Sequence, residues 1–271
     1  MVTQVESVNF DRAAEYYDAT RALPAESMDG LADVLAAELG ARRPCLEIGV
    51  GTGRIALPLR ERGIALAGTD IASAMLRRLV ANAGGRSPVP LVQADATRLP
   101  VAAGSFGAVL AVHVLHLIPD WRVAVDEALR VLRPGGALVA SFPGDGRSRQ
   151  VPREAAGGAP WSGAVRESLH RHGLVRVRHG ASDPEEVARY LGKRATARQL
   201  PSVSVHERRT LRQTLTSLEE QLFSWTWPYT PEQVRAAGSD IRAWAASENV
   251  PLDAEFEVRA EIRWRAFDLP R

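Results

Sequence analysis

Five short apolar runs separated by helical patterns constrain the fold of this chain more than any other feature of its sequence. Each run is flanked by strand-breaking residues, and the runs are 45–48, 64–69, 89–93, 106–112 and 137–142. Such runs are typical of strands buried on both faces. Helical patterns separate them, at 54–62, 73–83 and 121–132. The alternation predicts βαβ units in a parallel sheet, with right-handed crossovers that place helices on both faces.

The remaining segments predict two further strands and several helices. Residues 195–205 are strand-like, and residues 255–267 alternate apolar and polar side chains as a strand with one buried face does. Helices are expected at 10–19, 25–39, 161–172, 184–191, 210–223 and 231–247, the last two flanking an aromatic loop. Asp183 and Thr230 are plausible N-caps, and Pro231 suits the first position of a helix.

We therefore expect a single domain over residues 1–271 with a mostly parallel seven-stranded sheet and an antiparallel C-terminal edge strand. Its core would comprise about residues 38–142 with the strands at about 195–206 and 255–267. The helical segments at about 1–30, 143–172 and 208–250 would form a lid.

Glycines at 49, 51 and 53 follow the first apolar run directly. Glycine lets a ligand approach the backbone closely, and the N–H groups at the start of the next helix attract a carboxylate or phosphate. The dinucleotide fingerprint is G-x-G-x-x-G, whereas here the third glycine comes one residue early. Glu47, just before the loop, suits a positively charged amino group better than a pyrophosphate. The alternative is a plain glycine-rich turn.

Acidic residues end the second and third apolar runs. Asp70 lies about 20 residues beyond the glycines, where an acid accepts hydrogen bonds from ribose hydroxyls. Its alternative role is as a cap for the helix at 73–83. Asp95 could accept a hydrogen bond from the exocyclic amine of adenine, or it could be a simple turn residue. Together with the glycine loop, these acids predict a nucleotide-type ligand at the carboxyl ends of the strands.

The segments LEIGVGTGRIALPL, GTDIASAML, QADATRLPVAAGSFGAVLAVHVLHLIPDW and RVLRPGGALVAS closely resemble class I S-adenosylmethionine (SAM) dependent methyltransferases. Within that family they resemble the group related to ubiquinone and menaquinone biosynthesis and to small-molecule methylation. The resemblance covers about residues 45–142, with the motifs in the expected order. It implies an α/β Rossmann-like fold, SAM as cofactor and S-adenosylhomocysteine (SAH) as product.

The resemblance also implies which residues bind the cofactor. The positions that match the methionine-binding loop and the neighbourhood of the sulfonium are Glu47, Gly49, Gly51, Gly53 and His113. The positions that match the nucleoside-binding part are Asp70 and Ile71 for the ribose and Asp95 and Ala96 for the adenine. Met75 belongs to the same predicted site. Tyr16, Tyr17, Asp18 and Arg21 resemble a Tyr-Asp…Arg pattern that closes over the cofactor in these enzymes.

Alignment of the two reactants is the main catalytic requirement, because SAM already carries an activated methyl group. A base would help with a hydroxyl, phenol or acidic carbon acceptor. His113 and His116 are the candidates beyond the fourth strand, because histidine titrates near neutrality. Tyr17 is a third candidate. The alternative for each histidine is a packing or lining role, and for Tyr17 it is a ring that covers the cofactor.

Composition narrows the function classes. The 271 residues carry a net charge of +2, too little to favour a nucleic-acid partner. Cys45 is the only cysteine, so an intramolecular disulfide and a thiolate-rich zinc site are excluded, and we expect no metal. The N-terminus has no apolar signal core, and no run approaches the roughly 18 apolar residues of a membrane span. We expect a cytoplasmic protein without membrane insertion.

Absent motifs favour a small-molecule acceptor. The Asn/Asp-Pro-Pro-aromatic run of amino-methylating DNA enzymes is missing after the fourth strand, and Cys45 is misplaced for cytosine C5 chemistry. Trp225, Trp227 and Tyr229 would line an apolar acceptor pocket or simply pack inside the lid. Three arginines in the loop at 143–160 would meet an acidic substrate or solvent; they are Arg147, Arg149 and Arg153.

Three other functions use a similar fold or similar motifs. An NAD(P)-dependent oxidoreductase would use a similar fold, although the glycine spacing and the Asp95-Ala96 pair count against it. A non-catalytic SAM-binding regulatory or scaffold protein would carry the same motifs. An rRNA or tRNA methyltransferase is disfavoured by the low net charge. A homodimer through an exposed edge strand is compatible with all of them.

Overall fold

The computed structural model describes residues 7–142 and 159–271. The chain divides into two compact units. The first comprises Met1–Gly146, Arg178–Val203 and Glu261–Arg271, and the second comprises Arg147–Val177 and Ser204–Ala260. The loop arginines Arg147, Arg149 and Arg153, and residues 1–6 and 143–158 of the predicted lid, lie outside the described residues.

The described residues form the following strands and helices. The strands are β1 (Cys45–Ile48), β2 (Leu66–Asp70), β3 (Leu91–Gln93), β4 (Phe106–Val112), β5 (Leu132–Ser141), β6 (Thr196–Gln199), β7 (Val203–Arg209), β8 (Phe256–Ile262) and β9 (Arg265–Asp268). The helices are α1 (Tyr17–Arg21), α2 (Ala25–Leu39), α3 (Ala56–Glu61), α4 (Ser73–Asn82), α5 (Trp121–Val131), α6 (Ser162–Arg171), α7 (Pro184–Leu191), α8 (Leu211–Glu219) and α9 (Pro231–Ser247).

The first unit is built on a seven-stranded sheet in the order β3-β2-β1-β4-β5-β9-β6. Strands β1 to β5 are parallel to one another. Strand β9 runs antiparallel to β5 and also pairs antiparallel with β6, which occupies the outer position. The mostly parallel seven-stranded sheet with an antiparallel C-terminal strand is therefore confirmed.

Alternate side chains of the central strands enter two separate hydrophobic clusters. From β4, Ala108 and Leu110 belong to one cluster, and Val109 and Ala111 belong to the other. Helices α2 and α3 contribute to the first cluster, and α5 and α7 contribute to the second. Because successive strand residues point to opposite faces, this pattern confirms helices on both faces of the sheet.

Each predicted late strand is divided into two strands. The run 195–205 forms β6 and β7, with Pro201 between them, since proline cannot donate to a strand ladder. The run 255–267 forms β8 and β9, and β7 and β8 pair with each other in a separate two-stranded sheet. The predicted helix at 10–19 is likewise divided into a 3₁₀ turn at Asp11–Ala13 and α1.

The second unit packs α6, α8 and α9 around its own core, which includes Trp161. The Ser168 hydroxyl donates to the Ala237 carbonyl at 2.9 Å and so ties α6 to α9. Thr210 and Thr230 form capping boxes with Gln213 and Gln233. Two predicted caps are thus confirmed, because Asp183 accepts the Glu185 N–H and Thr230 precedes Pro231.

The aromatic loop of the second unit has contacts within that unit. The Tyr229 hydroxyl donates to the Val175 carbonyl at 2.6 Å and accepts from the Val175 N–H at 2.8 Å. Trp227 donates its indole N–H to the Gln221 carbonyl, and Trp225 packs against the core. These contacts agree with the alternative in which the three aromatic side chains pack inside the predicted lid and do not line an acceptor pocket. In the part of the chain that the structure describes, no helix has the length and apolar character needed to cross a membrane.

Trp264 is fully buried in the sheet core, between β8 and β9. We expect Trp264→Ala to lower the free energy of unfolding by about 3–5 kcal/mol, because it removes a large buried side chain and leaves a cavity. Urea denaturation followed by circular dichroism measures this change. The control is Val123→Ala, at a residue that is 47% exposed, where we expect a change within about 0.5 kcal/mol. Equal losses in the two variants would contradict the core position of Trp264.

Candidate functional site

A glycine loop leaves the carboxyl end of β1. Gly49 and Gly51 have φ values of 66° and 56°, in the left-handed region that favours glycine. A Cβ atom on Gly49 would lie 2.6 Å from Cγ2 of Val114. The glycine loop and the loop after β4 therefore approach each other closely at Gly49. At Gly51 the nearest atom would be Cε of Met75 at 3.8 Å. The backbone at Gly51 therefore borders open space that a ligand can enter.

Asp70 joins the glycine loop to the start of α4. Its Oδ2 accepts the Gly51 N–H and its Oδ1 accepts the Ala72 N–H, both at 2.8 Å. Burial raises the pKa of Asp70, while these N–H groups act in the opposite direction. Asp70 also lines a cavity at the carboxyl ends of the strands. The structural and ligand-binding interpretations of Asp70 are therefore compatible, since each carboxylate oxygen can accept more than one hydrogen bond.

A cavity lies at the carboxyl ends of β1, β2, β3 and β4. Nine of the predicted site residues line it, namely Tyr17, Gly49, Gly51, Asp70, Ile71, Met75, Asp95, Ala96 and His113. Arg21, Glu47, Gly53 and His116 are not among the lining residues. A Cβ atom on Gly53 would lie 2.8 Å from Cγ of Leu79, so this glycine permits packing of the loop on α4.

Glu47 is buried in β1 directly before the glycine loop, with 2% of its surface exposed. Burial raises its pKa well above the usual range; nearby Arg54 opposes this shift and Asp70 adds to it. Its Oε2 atom has no hydrogen-bond partner among the described residues. A buried acceptor without a partner is costly. The residues at this point therefore fit a ligand that brings a donor, such as an ammonium group.

Asp95 follows β3 and supplies a second carboxylate to the cavity. Its Oδ1 accepts both the backbone N–H and the hydroxyl of Thr97, each at 2.8 Å. Ala94 donates its N–H to the Asp70 carbonyl, which places the ends of β2 and β3 side by side. Asp95 thus organises a turn and presents a carboxylate to the cavity at the same time.

An N-terminal segment, residues 7–21, is tied to the glycine loop and to α4. The Thr52 hydroxyl donates to Oδ1 of Asp18 at 2.5 Å, and Asn82 donates to its Oδ2 at 2.8 Å. Oδ1 of Asp11 accepts the Ala74 N–H at 2.7 Å. Asp18 belongs to the Tyr-Asp…Arg pattern and Thr52 to the glycine-loop motif, whereas no motif indicates Asp11 or Asn82.

The backbone of Arg21 connects the N-terminal segment to the end of the glycine loop. The Arg54 guanidinium donates to the Arg21 carbonyl at 3.0 Å. The guanidinium of Arg21 lies 5.8 Å from the centre of the Tyr17 ring, which faces the cavity. Phe10, another lining residue, meets Tyr17 edge-on with ring centres 5.9 Å apart. No motif indicated Phe10.

The loop after β4 forms an apolar wall of the cavity through Val112, Val114, Leu117 and Ile118. His113 lies in this wall with φ 48°, and its N–H donates to the Ser141 carbonyl at the end of β5. Val8 of the N-terminal segment donates its N–H to the Leu117 carbonyl at 3.1 Å. An apolar wall beside two carboxylates is typical of small-molecule sites.

His116 differs from His113 in its surroundings. Burial, with a smaller contribution from His179, lowers the pKa of His116 to about 4, so the ring is neutral near pH 7. Its Nδ1 atom has no partner among the described residues. Burial raises the pKa of the Cys45 thiol to about 11, which makes it a poor nucleophile. Residues 7–142 and 159–271 contain no group of three or more His, Cys, Asp or Glu side chains that could hold a metal ion.

Part of the chain is similar to known methyltransferases. Residues 46–140 match the family model described as a methyltransferase domain. Demethylmenaquinone methyltransferase from Beutenbergia cavernae is 36% identical over 138 residues, which cover 49% of this chain and 55% of that protein. Malonyl-[acyl-carrier protein] O-methyltransferase from Geobacter sulfurreducens is 31% identical over 167 residues, covering 60% of this chain and 62% of that protein. The chain thus spans a little over half the length of these relatives.

A solved structure shares the fold. A protein from Bacillus halodurans C-125, assigned as a methyltransferase, has a TM-score of 0.54 and 17% identity, covering 88% of this chain and 99% of that chain. At this level of identity the likeness concerns the fold alone, and it confirms the Rossmann-like architecture predicted from the sequence.

The buried carboxyl of Glu47 predicts a pH-dependent stability difference. Because its folded-state pKa lies above the usual value of 4.5, the folded protein keeps this proton where the unfolded chain has lost it. This contribution to the free energy of unfolding is complete at low pH and declines as the pH rises from about 4.5 towards the folded-state pKa. Glu47→Gln removes the titration, so the ligand-free variant should gain up to about 1.4 kcal/mol per pH unit relative to the native protein in this window.

Urea denaturation of both ligand-free proteins at pH 4.5, 6.0 and 7.5 measures this difference. The matched control is Glu220→Gln, which removes the same charge at an exposed residue. We expect its effect to stay small at each pH. A difference between Glu47→Gln and native protein that does not grow with pH would contradict the raised pKa.

Proposed function

We propose that this chain, whose residues 46–140 match the methyltransferase domain model, is a class I SAM-dependent methyltransferase that transfers a methyl group from SAM to an O, N or C atom of a small-molecule acceptor. The observation that carries the proposal is the cavity at the strand ends, which is lined by Gly51 and by the side chains of Asp70 and Asp95. Glu47, buried directly before the glycine loop with a partnerless Oε2 atom, is compatible with the ammonium group of a methionine moiety.

SAM, when bound, supplies a methyl group already activated on a sulfonium. In the proposed site Glu47 accepts hydrogen bonds from the amino group, and the backbone around Gly51 receives the carboxylate. Asp70 accepts from the ribose hydroxyls, and Asp95 accepts from the adenine amine through the oxygen that Thr97 does not use. The two cavity-lining carboxylates stand at the ends of adjacent strands, which supports this division of roles.

The chain's own contribution to catalysis is alignment and exclusion of water. The wall formed by Val112, Val114, Leu117 and Ile118 provides an apolar surface next to the carboxylates. The N-terminal segment is bonded to both the glycine loop and the loop after β4, so it can cover the bound cofactor. Arg21 would support this cover by holding the Tyr17 ring. Correct placement of two reactants accounts for about 7–11 kcal/mol of barrier lowering in favourable cases.

His113 is the proposed proton acceptor for substrates that need one, because it lines the cavity and continues from β4. Tyr17 lines the cavity too, and we assign it a covering role because Phe10 and Arg21 hold its ring. We do not assign His116 as the base, because it does not line the cavity and its pKa of about 4 makes it a weak base.

Titration calorimetry with SAM, SAH and NADH tests the cofactor. We expect SAM and SAH to bind and NADH not to bind. Asp95→Asn should weaken SAM binding at least about tenfold, because Oδ1 can still accept from Thr97 while the new amide group cannot accept from adenine. Asp70→Ala should have an effect of similar size or larger, because it also frees the Gly51 and Ala72 N–H groups.

The matched control is Asp33→Asn, which removes a charge of the same kind at a side chain that is 71% exposed. Its SAM affinity should equal that of the native protein. Absence of SAM and SAH binding, or binding of NADH alone, would contradict the proposed function. Transfer of labelled methyl from SAM to a panel of phenols, quinones and amines then separates an enzyme from a SAM-binding scaffold.

A further inference from the structure

A second cleft, of about 470 Å³, lies in the first unit among residues that the proposed function does not use. Its charged and polar lining includes three arginines, one histidine and one glutamate, namely Arg122, Arg178, Arg189, His179 and Glu186. Trp121 and Tyr190 complete the lining together with Gly180. We call the cleft lined by these eight residues the arginine cleft. We propose that the arginine cleft binds a phosphate group, either inorganic phosphate or the phosphate of a small monoester.

The aromatic residues of the arginine cleft form a fixed wall. Trp121 and Tyr190 meet edge-on, with ring centres 5.4 Å apart. The Tyr190 hydroxyl donates to Oδ2 of Asp126 at 2.5 Å, and Asp126 also pairs with Arg194 at 2.8 Å. A side chain held on several sides loses little conformational freedom when a ligand binds. The wall is therefore preorganised.

Two guanidinium groups already cover the aromatic faces. Arg122 lies 4.4 Å from the centre of the Trp121 ring, and Arg194 lies 4.6 Å from the centre of the Tyr190 ring. The rings thus position arginines and do not offer a free face for a ligand ring. Stacking leaves the in-plane N–H groups of a guanidinium available, and their fork matches the oxygens of a phosphate.

The charges in the arginine cleft favour an anion. Glu186 pairs with Arg178 at 3.2 Å. Within the described ranges of the chain, neither Arg122 nor Arg189 has a carboxylate within 4.0 Å. Trp121 and Arg122 form the first turn of α5, where the helix dipole adds positive potential. A phosphate dianion would neutralise this excess of positive charge, whereas a neutral ligand would not.

The arginine cleft touches the loop after β4 from the side of Gly180. The Gly180 N–H donates to the His116 carbonyl at 3.0 Å, and a Cβ atom there would lie 2.1 Å from the Leu115 carbonyl oxygen. The same loop presents Leu117 and Ile118 to the cofactor cavity. Both sites therefore contact the loop after β4, but they have no lining residue in common. Their ligands can be titrated independently.

Calorimetric titrations of the full chain at low ionic strength test the proposal. The probes are inorganic phosphate, glycerol 3-phosphate and, as a carboxylate comparison, succinate. We expect phosphate or the monoester to bind more tightly than succinate, and the tighter of the two identifies the natural source. Arg122→Gln and Arg189→Gln should each weaken binding about tenfold, through loss of a charge-assisted hydrogen bond.

The matched control is Arg86→Gln, at an exposed arginine outside the arginine cleft, which should change phosphate affinity less than about twofold. No binding of either phosphate probe, tighter binding of succinate, or equal losses in Arg86→Gln and the two cleft variants would overturn the proposal. Thermal melting checks that each variant is folded. SAM titration of the same variants reports separately on the proposed methyltransferase function, because no residue of the arginine cleft lines the cofactor cavity.

Discussion

The carboxylate of Asp70 is the interaction on which the arrangement of the site depends. One oxygen accepts the N–H of Gly51 and the other accepts the N–H of Ala72, so a single side chain orients the glycine loop and the approach to α4. The carboxylate is mostly buried, and its pKa is raised in spite of these bonds. A buried carboxylate is tolerated when hydrogen bonds surround it, and here those bonds also give the loop its shape.

Two other segments complete the cavity through contacts with the glycine loop and α4. The N-terminal segment is bonded to Thr52 of the glycine loop through Asp18 and to α4 through Asp11. The loop after β4 approaches Gly49 so closely that a methyl group there would clash with Val114. The cavity therefore combines a polar side, made from strand ends, with an apolar side made from this loop. Such a combination suits a ligand with both a charged and an apolar part.

Local pattern made much of this predictable. The five parallel strands follow from short apolar runs between breakers, and Asp70 and Asp95 follow from their positions at strand ends. Other features had no local signal. The contact between Asp18 and Thr52 joins residues 34 positions apart. The division of 195–205 into β6 and β7 reflects pairing with β9 and β8, which lie far away in the chain. Strand propensity cannot reveal a change of partner, because it measures how well a residue suits a pleated surface.

The sequence by itself determined the five parallel strands with the helices between them, the two-sided burial of the sheet and the placement of acids at the strand ends. These depend on the spacing of apolar residues and on glycine, which act over a few neighbouring positions. Only the tertiary structure decided which side chains share a cavity and what each experiences there. It separated His113, in the cavity wall, from His116, three residues later and outside the cavity lining, whose pKa is lowered. It also left an oxygen of Glu47 without a partner. The physical reason is that desolvation and hydrogen bonding depend on groups brought together from distant parts of the chain.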